Sequence, residues 1–251
     1  MTSVEQQQTT PPTGAANFGR THWSVVVAAR GDDSPDARAA LEKLCRNYWL
    51  PIYAFVRRQG HSPHDAQDLT QEFFARLLGQ NFLSAVDRSK GKFRSFLLGA
   101  LKHFLANEWD RAGAQKRGGG KTFIPIDAAS AETTCWIEPA DHSSADKIFE
   151  RRWALALLDQ VLDSLRSEYA AAGKAALYDA LKPALVGPRE TQPYADLAAQ
   201  LALTEGAVKV AVHRLRERYR ERLKQTVAQT VDAPSEVDSE LRHLFRVLAR
   251  G

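Results

Sequence analysis

The sequence predicts an all-α protein: two small helical domains joined by a flexible linker, the second containing a helix-turn-helix. Three observations carry this. Apolar residues recur at helical spacing in every long segment, while the strict alternation of a half-buried strand is scarce. Residues 113–145 collect Gly118, Gly119, Gly120, Pro125, Pro139 and many small polar residues, the composition of a linker. Residues 194–223 hold two short helical patterns around a tight turn, the second of them strongly basic.

Composition narrows the class. The chain has 251 residues, 44% of them hydrophobic and 25% charged, enough for one large or two small domains. A net charge of +4 is mildly basic, so any nucleic-acid surface must be local. The two cysteines, Cys45 and Cys135, have no CxxC spacing, which argues against a metal site or a disulfide framework and for a reducing compartment. No apolar run approaches the ~18 residues of a membrane span. The stretch 23–29 is too short for a signal peptide and lacks a preceding basic segment.

The first domain is expected over residues 20–112, after a disordered segment at 1–19 rich in Gln, Thr, Pro and Ala. Thr21 or Ser24 starts a short helix over 23–29. A helix over 36–59 places Ala37, Leu41, Leu44, Tyr48 and Ile52 on one face, and Pro51 should kink or divide it. The next helix, 63–78, begins at His61 or Ser62 with Pro63 early in it. Leu69, Phe73 and Leu77 form its stripe, continued by Ala66, and Asp65, Asp68 and Glu72 share a neighbouring face. A solvated acidic face is the plain reading of those carboxylates. A docking surface for a basic partner is another. Metal or acid–base work is a poor fit, because no second carboxylate helix accompanies them. Thr70 lies beside this face, where a phosphate would add about −1.5 to −2 charge and act as a switch; a partly exposed helix threonine is the simpler reading.

A polar loop at 81–92 leads into a long helix over 93–111. Phe93, Leu97, Ala100, Leu101, Phe104 and Leu105 should bury; Arg94, Lys102, Asn107 and Arg111 should not. From Arg88 to Lys121 there are nine cations and only two acids, Glu108 and Asp110. Aromatics interleave them: Phe93, Phe96, His103 and Trp109 are positioned either as core or as stacking platforms for exposed bases. The Gly120-Lys121-Thr122 triplet imitates the end of a Walker loop, but the spacing fails and no strand precedes it.

The second domain spans 146–225. Its helices are expected at 146–168 and 170–186, the latter ended by Gly187-Pro188, and then at the helix-turn-helix. Leu197, Ala198 and Leu201 bury in the first helix of that motif. Thr204 caps the second, with Val208, Val212, Leu215 and Tyr219 as its buried stripe. The opposite side carries Gly206, Val210, His213, Arg214 and Glu217, with Lys209 at the edge. Arg214, Arg216, Arg218, Arg220, Arg222 and Lys224 follow in a run suited to phosphates, and Val210 is placed to meet a thymine methyl. Residues 226–251 form an extension: a linker over 225–234, then a short amphipathic helix over 239–249 with Leu241, Leu244, Phe245 and Leu248 apolar.

Three of these stretches resemble, in order and spacing, the conserved regions of bacterial RNA polymerase sigma factors of the extracytoplasmic-function type: DAQDLTQEFFARLL, FRSFLLGALKHFLANEWDR and YADLAAQLALTEGAVKVAVHRLRERYRERL. The resemblance covers about residues 24–223. It implies sigma region 2 over 20–112, sigma region 4 over 146–225, and no enzymatic activity, catalytic residue, metal or cofactor. It implies that Asp65, Asp68, Leu69, Glu72 and Phe73 dock on the clamp helices of the largest polymerase subunit. Arg88, Lys90 and Lys92 would belong to the loop that captures a flipped base of the non-template strand. Phe93, Arg94, Phe96, Lys102, His103, Asn107 and Arg111 would meet the minus-ten strand. Lys209, Val210, His213, Arg214 and Arg216 would read the minus-thirty-five duplex. Core polymerase (clamp helices and flap) and promoter DNA are the implied partners, an anti-sigma factor or a kinase the implied regulators, and the cytoplasm, at the nucleoid, the implied location. Phe96, His103 and Asn107 stand where many relatives have Trp, Asn and Asp, which alters base preference. A stand-alone helix-turn-helix regulator is the alternative; it would leave the acidic helix and the Arg88–Lys121 cations without a purpose.

Overall fold

The computed structural model describes residue 22 and residues 34–78, 92–114, 144–186 and 193–249. The expected helix over 23–29, the loop carrying Arg88 and Lys90, most of the linker and Gly187-Pro188 lie outside the described residues. Every described element is helical, and no strand occurs among the described residues. The all-α expectation holds.

Helix α1 is Pro35–Arg58, α2 Pro63–Leu78 and α3 Phe93–Ala114. Pro51 does not divide α1. An interior proline removes a backbone hydrogen bond at a cost of ~3 kcal/mol. Here residues 51–56 are all buried, and their packing outweighs that cost. Ser62 caps α2, the Asp65 N–H donating to Ser62 Oγ at 3.2 Å.

Beyond the linker, α4 is Ala145–Ala171, capped by Ser144, whose Oγ accepts from Lys147 N–H. The single helix expected over 170–186 is two pieces, α5 Ala175–Leu181 and α6 Pro183–Val186. Pro183 cannot continue the α5 hydrogen-bond ladder, and it disfavours helical backbone at the residue before it. Helices α7 Tyr194–Leu201 and α8 Glu205–Ala228 are the expected helix-turn-helix. Ala202 turns the corner at φ 53°, a left-handed position usually given to glycine. Its N–H and that of Leu203 donate back to Ala199 O and Ala198 O, closing the helix end. Thr204 Oγ1 then accepts from Ala207 N–H at 3.2 Å, as a cap should. The expected linker from 225 is a correction: α8 runs on to Ala228 because Thr226 and Val227 are buried. A 3₁₀ turn at Pro234–Glu236 leads into α9, Val237–Ala249.

The described helices share one apolar core that crosses the linker. Helix α1 packs along α4 and against α2, α2 packs against α3, and α8 and α9 pack on α4. Tyr48, Ile52, Phe73, Phe93, Leu97, Trp153, Val161, Leu165, Val208 and Leu215 are buried within it. Asn47 Nδ2 donates to Gln160 Oε1 across the α1–α4 seam at 3.1 Å. The two halves therefore touch through their cores. The expected stripes of α1, α2, α3 and α8 all face inward. Three single-residue expectations fail: Arg94 and Thr70 are buried, and Phe245 is exposed.

His22 joins three parts of the chain. Its ring shares a 3.1 Å hydrogen bond with Tyr48 Oη and lies 5.9 Å from the Phe93 ring, while its backbone N–H donates to Gln229 O at 2.8 Å. Burial, helped by the charge of Lys43, lowers its pKa from 6.5 to about 4. The folded state thus holds His22 neutral, while the unfolded chain protonates it below pH ~6.5. The stability is fully present above that value and is lost as pH falls toward 4. We expect unfolding at pH 5 to require roughly 2 kcal/mol less than at pH 7 from this group. Urea titrations of the wild type and His22→Gln at both pH values check it: the difference between the pH values should shrink in the variant.

Candidate nucleic-acid interface

The helix-turn-helix presents its second helix as the sequence requires. Leu197, Ala198, Val208, Val212 and Leu215 hold α7 and α8 to the core, which turns Lys209, Val210, His213 and Arg214 outward. Val210, with 49% of its surface exposed, is an apolar side chain with no place in the core. Lys209 lies 3.9 Å from Glu205, and His213 3.5 Å from Glu217, both exposed pairs of the kind that contribute little.

The basic run does not act as one strip. Arg216 donates to Ala184 O at 3.0 Å, closing the end of α6. Arg218 forms a fork to Glu168, Nε–Oε1 2.7 Å and Nη2–Oε2 3.2 Å, and Arg222 adds a 2.6 Å bond to the same carboxylate. The hydrogen bond from Arg218, reinforced by Arg222, holds the Glu168 carboxyl below its usual range. Counting only Glu217 and Glu221 against the run missed Glu168, which lies on α4 some fifty residues upstream. Arg214, Arg220 and Lys224 remain on the exposed side. Arg216, expected at the duplex, is partly exposed and donates to the Ala184 backbone carbonyl.

The other candidate site surrounds α2 and α3. Asp65 and Asp68 are exposed, and Asp68 lies 3.3 Å from His64. Glu72 is drawn into a pair with Arg76 at 2.9 Å; Arg76 also bonds Glu108 at 2.7 Å and stacks 4.9 Å over the Phe104 ring. Glu72 therefore helps fasten α2 to α3. Leu69 is partly exposed, but Phe73 is 1% exposed, inside the core against Phe104, and offers no surface to a docking partner. A cavity of about 530 Å³ is lined by His61, Asp65, Asp68, Leu69, Leu105, Glu108 and Trp109. Trp109, 75% exposed, thus stands beside the acidic face. The amphipathic period of α3 held the signal for this, since Trp109 falls one turn beyond Leu105.

At the start of α3 the cations are engaged. Arg94 is 5% exposed. Its Nε donates to Glu150 at 2.9 Å, its Nη1 donates to Glu240 at 2.7 Å, and its guanidinium stacks 4.7 Å over Trp153. Lys92 pairs with the same Glu240. Phe93 is buried too, so two of the expected strand contacts, Phe93 and Arg94, face the protein interior. Phe96 is partly exposed; His103 and Asn107 are exposed and share a 3.0 Å hydrogen bond. Lys102 pairs with Asp146 at 2.6 Å, half exposed. The Arg111 side chain lies outside the described residues.

Among the described residues no three His, Cys, Asp or Glu side chains gather as a metal site, and no helix is long and apolar enough to cross a membrane. Burial pushes the Cys45 thiol up to about 12, leaving it unreactive.

A helix-turn-helix and a second group of helices with an exposed acidic face thus share one helical fold. Residues 44–115 match the family described as Sigma-70 region 2. Over 206 residues, 82% of this chain, the sequence is 26% identical to the ECF RNA polymerase sigma factor SigE of Mycolicibacterium smegmatis. The chain spans 66% of that relative's length. No solved structure matches the chain. Residues 44–115 thus resemble sigma region 2, and the chain as a whole is similar to a sigma factor of the extracytoplasmic-function type.

Proposed function

We propose that this protein binds core RNA polymerase and directs it to promoters, reading the minus-thirty-five duplex through α8 and stabilising the melted minus-ten strand through the start and outer face of α3. The observation that carries the reading is the solvent face of α2. Asp65 and Asp68 stand exposed beside Leu69 and Trp109, around a cavity, within the segment that matches sigma region 2. An acidic rim around an apolar floor fits the basic clamp helices of the largest subunit. Two weak modules held at fixed separation by polymerase bind a promoter that neither holds alone. Capture of a base that has left the stack favours the open strand by differential binding. The linker would run along polymerase toward the RNA exit path, and the protein would work in the cytoplasm, at the nucleoid. Its control by an anti-sigma factor is compatible with this reading. Phosphorylation of Thr70 is not favoured: its hydroxyl is buried and donates to Ala66 O at 2.7 Å.

Transcription with purified core polymerase on duplex and premelted templates tests the proposal. Phe96→Ala should leave duplex binding by the holoenzyme intact and lower open-complex formation on duplex templates about tenfold, the loss of one base–aromatic stack of ~1–3 kcal/mol. Permanganate footprinting reads the opening. Equal loss of duplex binding and opening would rule out the division of labour, and operator footprints without polymerase would favour the stand-alone regulator.

A further inference from the structure

The carboxylate of Glu240 lies in the wrong place for an idle extension. Helix α9 packs on α4 and α8, anchored by Leu244, which is fully buried, and it brings Glu240 to the N-terminus of α3. Glu240 itself is 0% exposed and faces two cations, Lys92 and Arg94. A buried carboxylate is costly unless paired and hydrogen-bonded. This one is paired twice, at a helix end whose dipole also favours an anion. Arg94 is completed by Glu150, which also meets His243 of α9 at 2.8 Å. Two cations and a helix N-terminus around one oxyanion would hold a backbone phosphate equally well. Lys92 and Arg94 lie inside the region-2 match, while α9 lies beyond the helix-turn-helix.

We propose that α9 is a built-in competitor for the nucleic-acid strand. Glu240 occupies the cation pair that a strand phosphate needs, so α9 must leave before Lys92 and Arg94 can engage DNA. The proposal rests on the strand-capture reading of α3. It accounts for the closed packing of the two halves: the same carboxylate, with Glu150, ties the start of α3 to α4 and α9. When α9 is seated, only the open fraction binds, and apparent affinity falls by that fraction.

The full chain, Glu240→Gln and Leu244→Asp are titrated without polymerase against a fluorescein-labelled single-stranded oligonucleotide by anisotropy. Hydrogen exchange over residues 237–249 reports in parallel whether α9 has opened, and circular dichroism reports that the helices remain. Glu240→Gln removes a negative charge; Leu244→Asp adds one but should eject the same helix. Both should bind the strand about tenfold or more tightly than the wild type, which requires an open fraction of a tenth or less. Adding Arg94→Ala to either should remove the gain. General electrostatics predicts opposite effects for the two variants, so a gain in Glu240→Gln alone overturns the proposal. Faster exchange with wild-type affinity that still depends on Arg94 also overturns it, leaving strand capture intact. Binding independent of Arg94 in every variant means the strand-capture reading has failed, and the proposal with it.

Discussion

Replacing Asp65 and Asp68 together by lysine is expected to abolish retention of the protein by immobilised core polymerase. Both side chains are exposed, and their contacts are the capping contact of Asp65 with Ser62 and the exposed pair of Asp68 with His64, so the fold depends on them little. Surface changes of this kind move stability by about 0.5 kcal/mol or little more. The docking contact is a different matter. Each reversal turns an attraction for a basic surface into a repulsion, and like charges brought together at an interface cost several kcal/mol. A loss of affinity of a hundredfold or more, with thermal unfolding nearly unchanged, is the expected pair of results in co-purification and calorimetry. Unchanged retention would mean that the acidic face is only solvated. Glu72 belongs in a separate experiment. Its reversal would set a lysine against Arg76 and loosen α2 from α3, so any loss of binding would be confounded with loss of structure.

Trp153→Ala is expected to produce the largest loss of stability of any single change here. The ring is 1% exposed at the meeting of α1, α4 and α9. Removing a buried tryptophan costs about 3–5 kcal/mol through lost transfer energy and the cavity left behind. For a domain of this size that corresponds to a fall in Tm of roughly 10 °C. The variant also strips the aromatic face from beneath the Arg94 guanidinium, a contact of about 2 kcal/mol when desolvated. Scanning calorimetry checks the first effect. Hydrogen exchange over residues 237–249 checks the second, because an Arg94 without its platform should hold Glu240, and hence α9, less firmly. A fall in Tm of only a degree or two would mean that the α1–α4 seam contributes little to stability.

The helices were legible for local reasons. Apolar spacing located the buried stripes of α1, α2, α3 and α8, and the side chains of Ser62 and Thr204 marked two starts correctly. Errors arose where a distant segment overruled a local rule. Pro51 was expected to kink or divide α1; it does not divide it, because the buried stretch 51–56 tolerates one missing hydrogen bond. The stretch after Leu223 looked like a linker by composition, yet Thr226 and Val227 have a core to enter. Phe245 fits an apolar stripe by period, but α9 lies on α4 and α8 by a face that leaves it outside.

The sequence by itself determined that this chain is helical, that residues 194–223 form a helix-turn-helix with a cationic outer side, and that its motifs resemble those of sigma factors. Those properties depend on periods, caps and residue order, all of which are read within a few turns of chain. Only the tertiary structure decided which charges are available. Arg94 is closed off by Glu150 and Glu240, and Arg218 and Arg222 by Glu168. The reason is physical: a buried cation takes its partner from whichever element packs against it, and no spacing along the sequence records a pair between residues 94 and 240.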